Sequence, residues 1–223
     1  MTGTPRPDVP QPGHYQRQQA GRRPRFPGFD VLDQAQHWDQ VTRDLVTSRL
    51  KPGSRTTFFD EQEIPCAQAF LNLLTGQQDD PAIPVLEMVG TRLAAGETDG
   101  WRYDDMPEDG QAWRDSLGYL DEDSRARCGL PFAEAPEPDQ LEVIQAVQDR
   151  QSGDWHGLNA AHVWSLWTRY ACTALYSHPH AWNEIGFSGP AYPRGYKNAG
   201  VDKLEGYEVR DARPSGDPIR EGA

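Results

Sequence analysis

The sequence predicts an all-α fold, an irregular bundle of about six helices between a Pro-rich N-terminal tail and a polar C-terminal tail. Three observations predict it. Apolar residues recur at helical spacing in six separate stretches. Alternating apolar and polar runs are nearly absent, and no hairpin turn separates two β-rich segments. Seven Trp, eight Tyr and seven Phe supply a core that the hydrophobic share of only 36 % would otherwise make thin.

Residues 1–35 read as an extended or disordered tail. Pro5, Pro7, Pro10, Pro12, Pro24 and Pro27 interrupt any helix there. Five Arg stand against Asp8, Asp30 and Asp33, leaving about +2 on the tail and about −14 on the remainder of a chain whose net charge is −12. Phe26 and Phe29 are its adhesive residues, able to lie on the body or on a partner.

A helical domain is expected over residues 36–196. Trp38, Val41 and Leu45 fall at i, i+3 and i+7 and so define one face of a first helix. In the second, Asp60 and Glu63 form a capping box, Cys66, Phe70, Leu73 and Leu74 the stripe, and Gly76 the left-handed stop. A third helix is expected to open at Asp80-Pro81, with Val85, Leu86, Val89 and Leu93 inward. The segment from Glu97 to Gly110 is a loop carrying Trp101, Tyr103 and Met106. Trp113, Leu117 and Leu120 mark a fourth helix that ends near Gly129. Asp139 and Glu142 suggest a capping box for a fifth, on Leu141, Ile144 and Val147. The longest runs from about Leu158 to Ser177 on Val163, Leu166, Trp167, Tyr170 and Ala174, and Pro179 stops it. Residues 197–223 are polar and aperiodic, a second tail.

The acidic balance argues against nucleic acid and against anionic membrane surfaces, because both require a positive footprint. No run of 18 apolar residues spans a bilayer, so no direct membrane insertion is expected. Arg22-Arg23 is followed by Pro24, Pro27 and Asp30 where a leader would need an apolar segment, which predicts a cytoplasmic location. Cys66, Cys128 and Cys172 are too few for a disulfide scaffold and read as reduced thiols, with pairing to another chain as the alternative.

The densest unusual segment runs from His178 to Tyr196. His178, His180 and Glu184 could serve as metal ligands of an independent helical enzyme. Pro179 between the histidines makes that spacing poor, and capping of the preceding helix by histidine is the competing reading. Asp104, Asp105, Glu108 and Asp109 could include an acid–base pair, or simply form a solvated acidic loop that caps the next helix. No nucleophile elbow, dinucleotide fingerprint or P-loop occurs, so no cofactor site belonging to this chain alone is expected. In GPAYPRGY, Gly189-Pro190 and Pro193-Arg194-Gly195 enforce a turned backbone, with Tyr192, Tyr196 and Arg194 as rigid polar-tipped anchors. Such a segment either docks a partner or hooks the protein's own helices together, and a free-standing binding module or chaperone would use it equally well.

The segment SHPHAWNEIGFSGPAYPRGY resembles the C-terminal signature of the gluconate 2-dehydrogenase subunit 3 family. RFPGFDVLDQAQHWD, FFDEQE, TDGWRYDDMPEDGQAWR and HVWSLWTRYACTALYSHP extend the resemblance from Phe26 to about Arg210. It implies a non-catalytic, helical accessory subunit, with no catalytic, cofactor or metal residue of its own. The implied partner is a large FAD-dependent dehydrogenase of the glucose–methanol–choline (GMC) type that oxidises CH–OH groups of sugars, sugar acids or polyols. In many such systems a cytochrome c subunit takes the electrons. The implied docking residues are Trp182, Glu184, Tyr192, Pro193, Arg194, Gly195 and Tyr196. Family members are thought to support folding, flavin loading and export of the large subunit. Without an apolar leader here, export would fall to the partner, and an intersubunit disulfide would be opposed by a reducing cytoplasm.

Overall fold

A computed structural model describes residues 25–50, 58–78, 83–198 and 200–216. The element order is a 3₁₀ helix at Val31–His37, then α1 (Gln40–Ser48), α2 (Glu63–Thr75), α3 (Val85–Ala94) and α4 (Asp109–Cys128). A 3₁₀ turn at Phe132–Glu134 precedes α5 (Glu137–Asp149), the two-residue strands β1 (Asp154–Trp155) and β2 (Leu158–Asn159), α6 (Ala160–Ser177) and α7 (Pro179–Ile185). The architecture is all-α. The expected single helical domain divides into two compact units, one of Arg49–His178 and one that joins Met1–Ser48 to Pro179–Ala223.

In the Arg49–His178 unit, α2 packs against α3, α4, α6 and the Phe132–Glu134 turn. Its helices begin and end where local chemistry dictates. The Asp60 carboxylate accepts from the Gln62 and Glu63 N–H groups, and Glu63 reaches back to the Asp60 N–H at 2.9 Å. Gly76, at φ +67°, closes α2 with its own N–H on Leu73 and the Gln77 N–H on Asn72. Gly129, at φ +79°, does the same for α4, where Arg125 and Arg127 complement the helix C-terminus. His178 is extended ahead of Pro179, as the residue before a proline prefers, and α6 stops there.

The core is filled by rings. Trp113, Trp155, Trp167, Tyr170, Phe70 and Phe132 are fully buried. Phe70 meets Trp167 edge-on at 4.7 Å between centroids, and Trp155 meets Trp167 at 5.4 Å. The buried indole N–H groups of two of them are satisfied, Trp167 by Ser116 Oγ at 2.9 Å and Trp155 by Asp123 at 2.8 Å. Trp155 is delivered by a miniature hairpin, β1 paired antiparallel to β2 around His156 (φ +52°) and Gly157 (φ +85°). Positive φ at both turn residues matches the twist of paired strands. This hairpin is too short to leave an alternating pattern in the sequence.

Several expected faces hold. Val85, Leu86, Val89 and Leu93 are buried, as are Trp113, Leu117 and Leu120 and the five apolar residues assigned to α6. Two start signals do not. Asp80-Pro81 lies outside the described residues, and α3 begins later, at Val85. α5 begins at Glu137, so Asp139 and Glu142 lie inside it, where Arg127 takes up both carboxylates. Leu141 accordingly faces solvent, and Val143 is buried with Ile144 and Val147.

The second unit joins the described residues of two distant segments. Val31, Ala35, Trp38, Val46 and Trp182 form its apolar cluster, with Phe29 and Leu32 against it. Phe29 and Val31, placed by the sequence in the N-terminal tail, are thus packed into this cluster. Val41 and Leu45 are 76 % and 57 % exposed, contrary to the expected face. The reason is local: Trp38 is extended, α1 starts only at Gln40, and a helical phase counted from Trp38 does not continue through it. Val46 turns inward instead. Beyond α7, parts of the polar C-terminal segment are also fixed: Glu205 is buried, its carboxylate accepting from the Lys197 and Asn198 N–H groups.

Candidate functional site

Two segments of the sequence carried candidate chemistry, and apart from His178, which ends the Arg49–His178 unit, each lies within one unit. The first is the run from His178 to Tyr196. α7 turns the Trp182 indole into the unit's own apolar cluster. The Asn183 side chain, one residue on, accepts from the Val31 N–H at 2.7 Å and donates to Asp30 at 3.1 Å. Asp30 in turn caps the 3₁₀ helix through the Leu32 N–H. The two glycines that follow are required by close approach. A Cβ on Gly186 (φ +70°) would lie 2.3 Å from the Phe26 ring, and one on Gly189 (φ +76°) 2.6 Å from Trp38. Arg194 lies over the Tyr207 ring at 3.8 Å and donates to Gln34 at 2.9 Å.

The internal-hook reading of this segment thus holds for Trp182 and Arg194, which are committed to contacts within their own unit. Trp182, among the residues suggested for docking, is buried in its own unit's apolar cluster. Glu184, Tyr192, Pro193, Gly195 and Tyr196 are exposed. Asn183 was not legible as functional, since one Asn in a polar helix carries no periodic signal; its role depends on a partner more than 150 positions away.

The metal reading finds no support in the arrangement. His178 is buried, and its backbone N–H closes α6 on Leu175. His180 and Glu184 stand one turn apart on α7. Among the described residues no group of three or more His, Cys, Asp or Glu is placed to hold a metal ion.

The second segment is the loop between α3 and α4. Asp99 pairs with both Arg92 and Arg169. Burial works against its charge, but those two guanidinium groups outweigh it and hold the Asp99 carboxyl below the usual range. Arg169 lies over the Trp101 ring at 4.5 Å, and Arg92 over the Tyr170 ring at 4.6 Å. Tyr103 stacks on His162 at 3.6 Å, and His162 bonds Asp105 at 2.7 Å. Asp109 is buried and accepts from the Tyr170 hydroxyl at 2.8 Å. Burial raises the Tyr170 phenol, and the Asp109 carboxylate raises it further. Glu108 pairs with Arg102. Asp99, Asp105, Glu108 and Asp109 are therefore each engaged in separate ion pairs or hydrogen bonds rather than in a carboxylate pair, the alternative to a solvated capping loop. The large apolar side chain that the loop leaves exposed is Trp101.

The thiols differ in setting. Cys66 is buried, and burial pushes its thiol far up, whereas Cys172 is exposed on α6. Arg169, Cys172 and Tyr176 share the face of α6 opposite its apolar stripe. Their spacing of three and four was readable once the stripe was assigned.

A model of the family described as gluconate 2-dehydrogenase subunit 3 matches residues 61–189, more than half of the chain. The chain belongs to the gluconate 2-dehydrogenase subunit 3 family. The match includes the whole α3–α4 loop, α6 and α7 and ends at Gly189, so Tyr192 to Tyr196 lie beyond it. No curated protein and no solved structure matches the chain. No helix among the described residues is long and apolar enough to cross a membrane.

Proposed function

We propose that this member of the family is a non-catalytic small subunit that binds and stabilises a large FAD-dependent dehydrogenase. The large subunit would be of the GMC type and would oxidise CH–OH groups of sugars, sugar acids or polyols. The observation that carries the reading is the family match over residues 61–189. A rigid scaffold with outward aromatic side chains suits a binding role, because Trp, Tyr and Arg dominate the energetics of protein interfaces. In this reading the flavin belongs to the partner, and this chain contributes surface and stability rather than a reacting group. Any onward electron acceptor, such as a cytochrome c subunit, is likewise a matter for the large subunit.

The test is to produce the large subunit from the same genome with and without this chain. Flavin per polypeptide and dehydrogenase activity should both fall severalfold when the small subunit is omitted. Full flavin occupancy and full activity without it would overturn the stabilising role.

A further inference from the structure

We infer that the dehydrogenase subunit docks, through a basic face, on the surface of the Arg49–His178 unit made by Trp101 and the Arg169–Cys172–Tyr176 strip of α6. The inference rests on the accessory-subunit reading and adds to it the surface used and the charge of the partner.

Three observations converge on this face. Trp101 is 48 % exposed and Tyr176 51 % exposed, although both are large apolar side chains in a unit that buries most of its rings. Trp101 is also held ready. Its ring lies under the Arg169 guanidinium, which is itself fixed to Asp99, and Asp99 is fixed to Arg92 on α3. Tyr103 meets the Trp101 ring edge-on at 5.2 Å and is stacked on His162. A side chain already immobilised in its exposed position loses little entropy when a partner covers it, so more of its contact area appears as affinity. Finally, the whole face lies inside the matched residues 61–189, where a surface common to the family would be found.

Charge selects the partner's chemistry. Asp99 offsets one of the two charges of Arg92 and Arg169, and Glu108 pairs with Arg102, so these three cations stand against five carboxylates on the loop, those of Glu97, Asp99, Asp104, Asp105 and Glu108. Glu97 and Asp104 are exposed on the same loop as Trp101, in a chain of net charge −12. The rim around the aromatic centre is therefore acidic. A complementary face carries Lys or Arg around an apolar recess, and its approach is steered at low ionic strength.

Cys172 reports on the face without any substitution in it. The complex is isolated from cells through an affinity tag on this chain, and alkylation of Cys172 by a maleimide under reducing conditions is timed by mass spectrometry. The same is done with the free chain. Cys66, being buried, is the internal reference. A second preparation carries Tyr192→Cys as a reporter on the other unit. Cys172 is expected to react at least about tenfold more slowly in the complex, with the Tyr192→Cys reporter unchanged. An unchanged Cys172 rate in a flavin-containing complex overturns the docking face but leaves the accessory-subunit reading standing, the more so if Tyr192→Cys is the one protected. If no flavoprotein accompanies the chain, that reading fails and the docking face with it. Asp104→Lys should raise the dissociation constant about tenfold at low salt, with the difference shrinking as salt screens the contact. Equal affinity of Asp104→Lys and the parent at low salt overturns the basic-face assignment.

Discussion

The Arg49–His178 unit and the unit built from the two chain ends solve the same packing problem by different means. The first buries continuous helical stripes whose members lie three or four positions apart, so each helix declares its inward face locally. Among its described residues the second has one nine-residue helix, one seven-residue helix and a 3₁₀ segment, none long enough to be stable alone. It is assembled by single contacts between residues far apart in sequence: Asn183 on Val31, Gly189 against Trp38, Arg194 on Gln34, and the Ala212 N–H on the Arg25 carbonyl. A redundant core tolerates the loss of one marginal contact, whereas a unit held by few specific contacts concentrates its vulnerability in them.

The largest effect is expected at Trp167, fully buried among Phe70, Trp155 and Trp164. Trp167→Ala should cost about 3–5 kcal/mol, read from the urea midpoint, because it opens a cavity and leaves Ser116 without its donor. Gly189→Ala should follow at about 3 kcal/mol, from a left-handed backbone carrying a Cβ and from its collision with Trp38. Hydrogen exchange should locate that loss in residues 31–46 and 182–189 rather than in α4 or α6. Exchange that rises equally everywhere would abolish the contrast between the units.

Asn183→Ala should cost about 2 kcal/mol in thermal or urea unfolding, since it strands the N–H of the fully buried Val31. Arg194→Ala should cost about 1 kcal/mol, removing a ring contact and one hydrogen bond. Its association with a dehydrogenase partner should be nearly unchanged. A variant that folds normally but fails to associate would return Arg194 to a docking role.

The smallest effect concerns acid. Asp99 has a folded-state pKa below its unfolded value, so its contribution is present above the unfolded value of about 4 and is lost as pH falls through the folded one. Asp99→Asn should therefore destabilise at neutral pH by about 1 kcal/mol or less and leave a flatter stability profile below about pH 4. Parallel profiles for the two proteins would show that the pair with Arg92 and Arg169 contributes nothing measurable.

Most helices were legible because burial on one side of a 3.6-residue repeat writes itself into neighbouring positions. The stripes of α4 and α6 are examples, as are the left-handed stops at Gly76 and Gly129. The failures share a cause. The phase of α1 cannot be counted from Trp38, which belongs to a 3₁₀ ending rather than to the helix, and Asp139 and Glu142 resemble a cap but answer to Arg127, twelve and fifteen residues earlier. The C-terminal signature was visible as an unusual composition, yet composition alone left open whether its rings and arginine served a partner or the chain itself.

By itself, then, the sequence determined the helical class, the inward faces of the longer helices, several of their ends and the family resemblance, because each depends on residues within a few positions of one another. Only the tertiary structure decided that Trp182 and Arg194 are internal, that Asn183 and Gly189 join the chain ends, and that Arg169, held by Asp99, fixes an exposed Trp101 on the α3–α4 loop. Those outcomes depend on pairings across 70 to more than 150 positions. No local periodicity records such pairings, because the chain between the partners is free to vary without altering the contact.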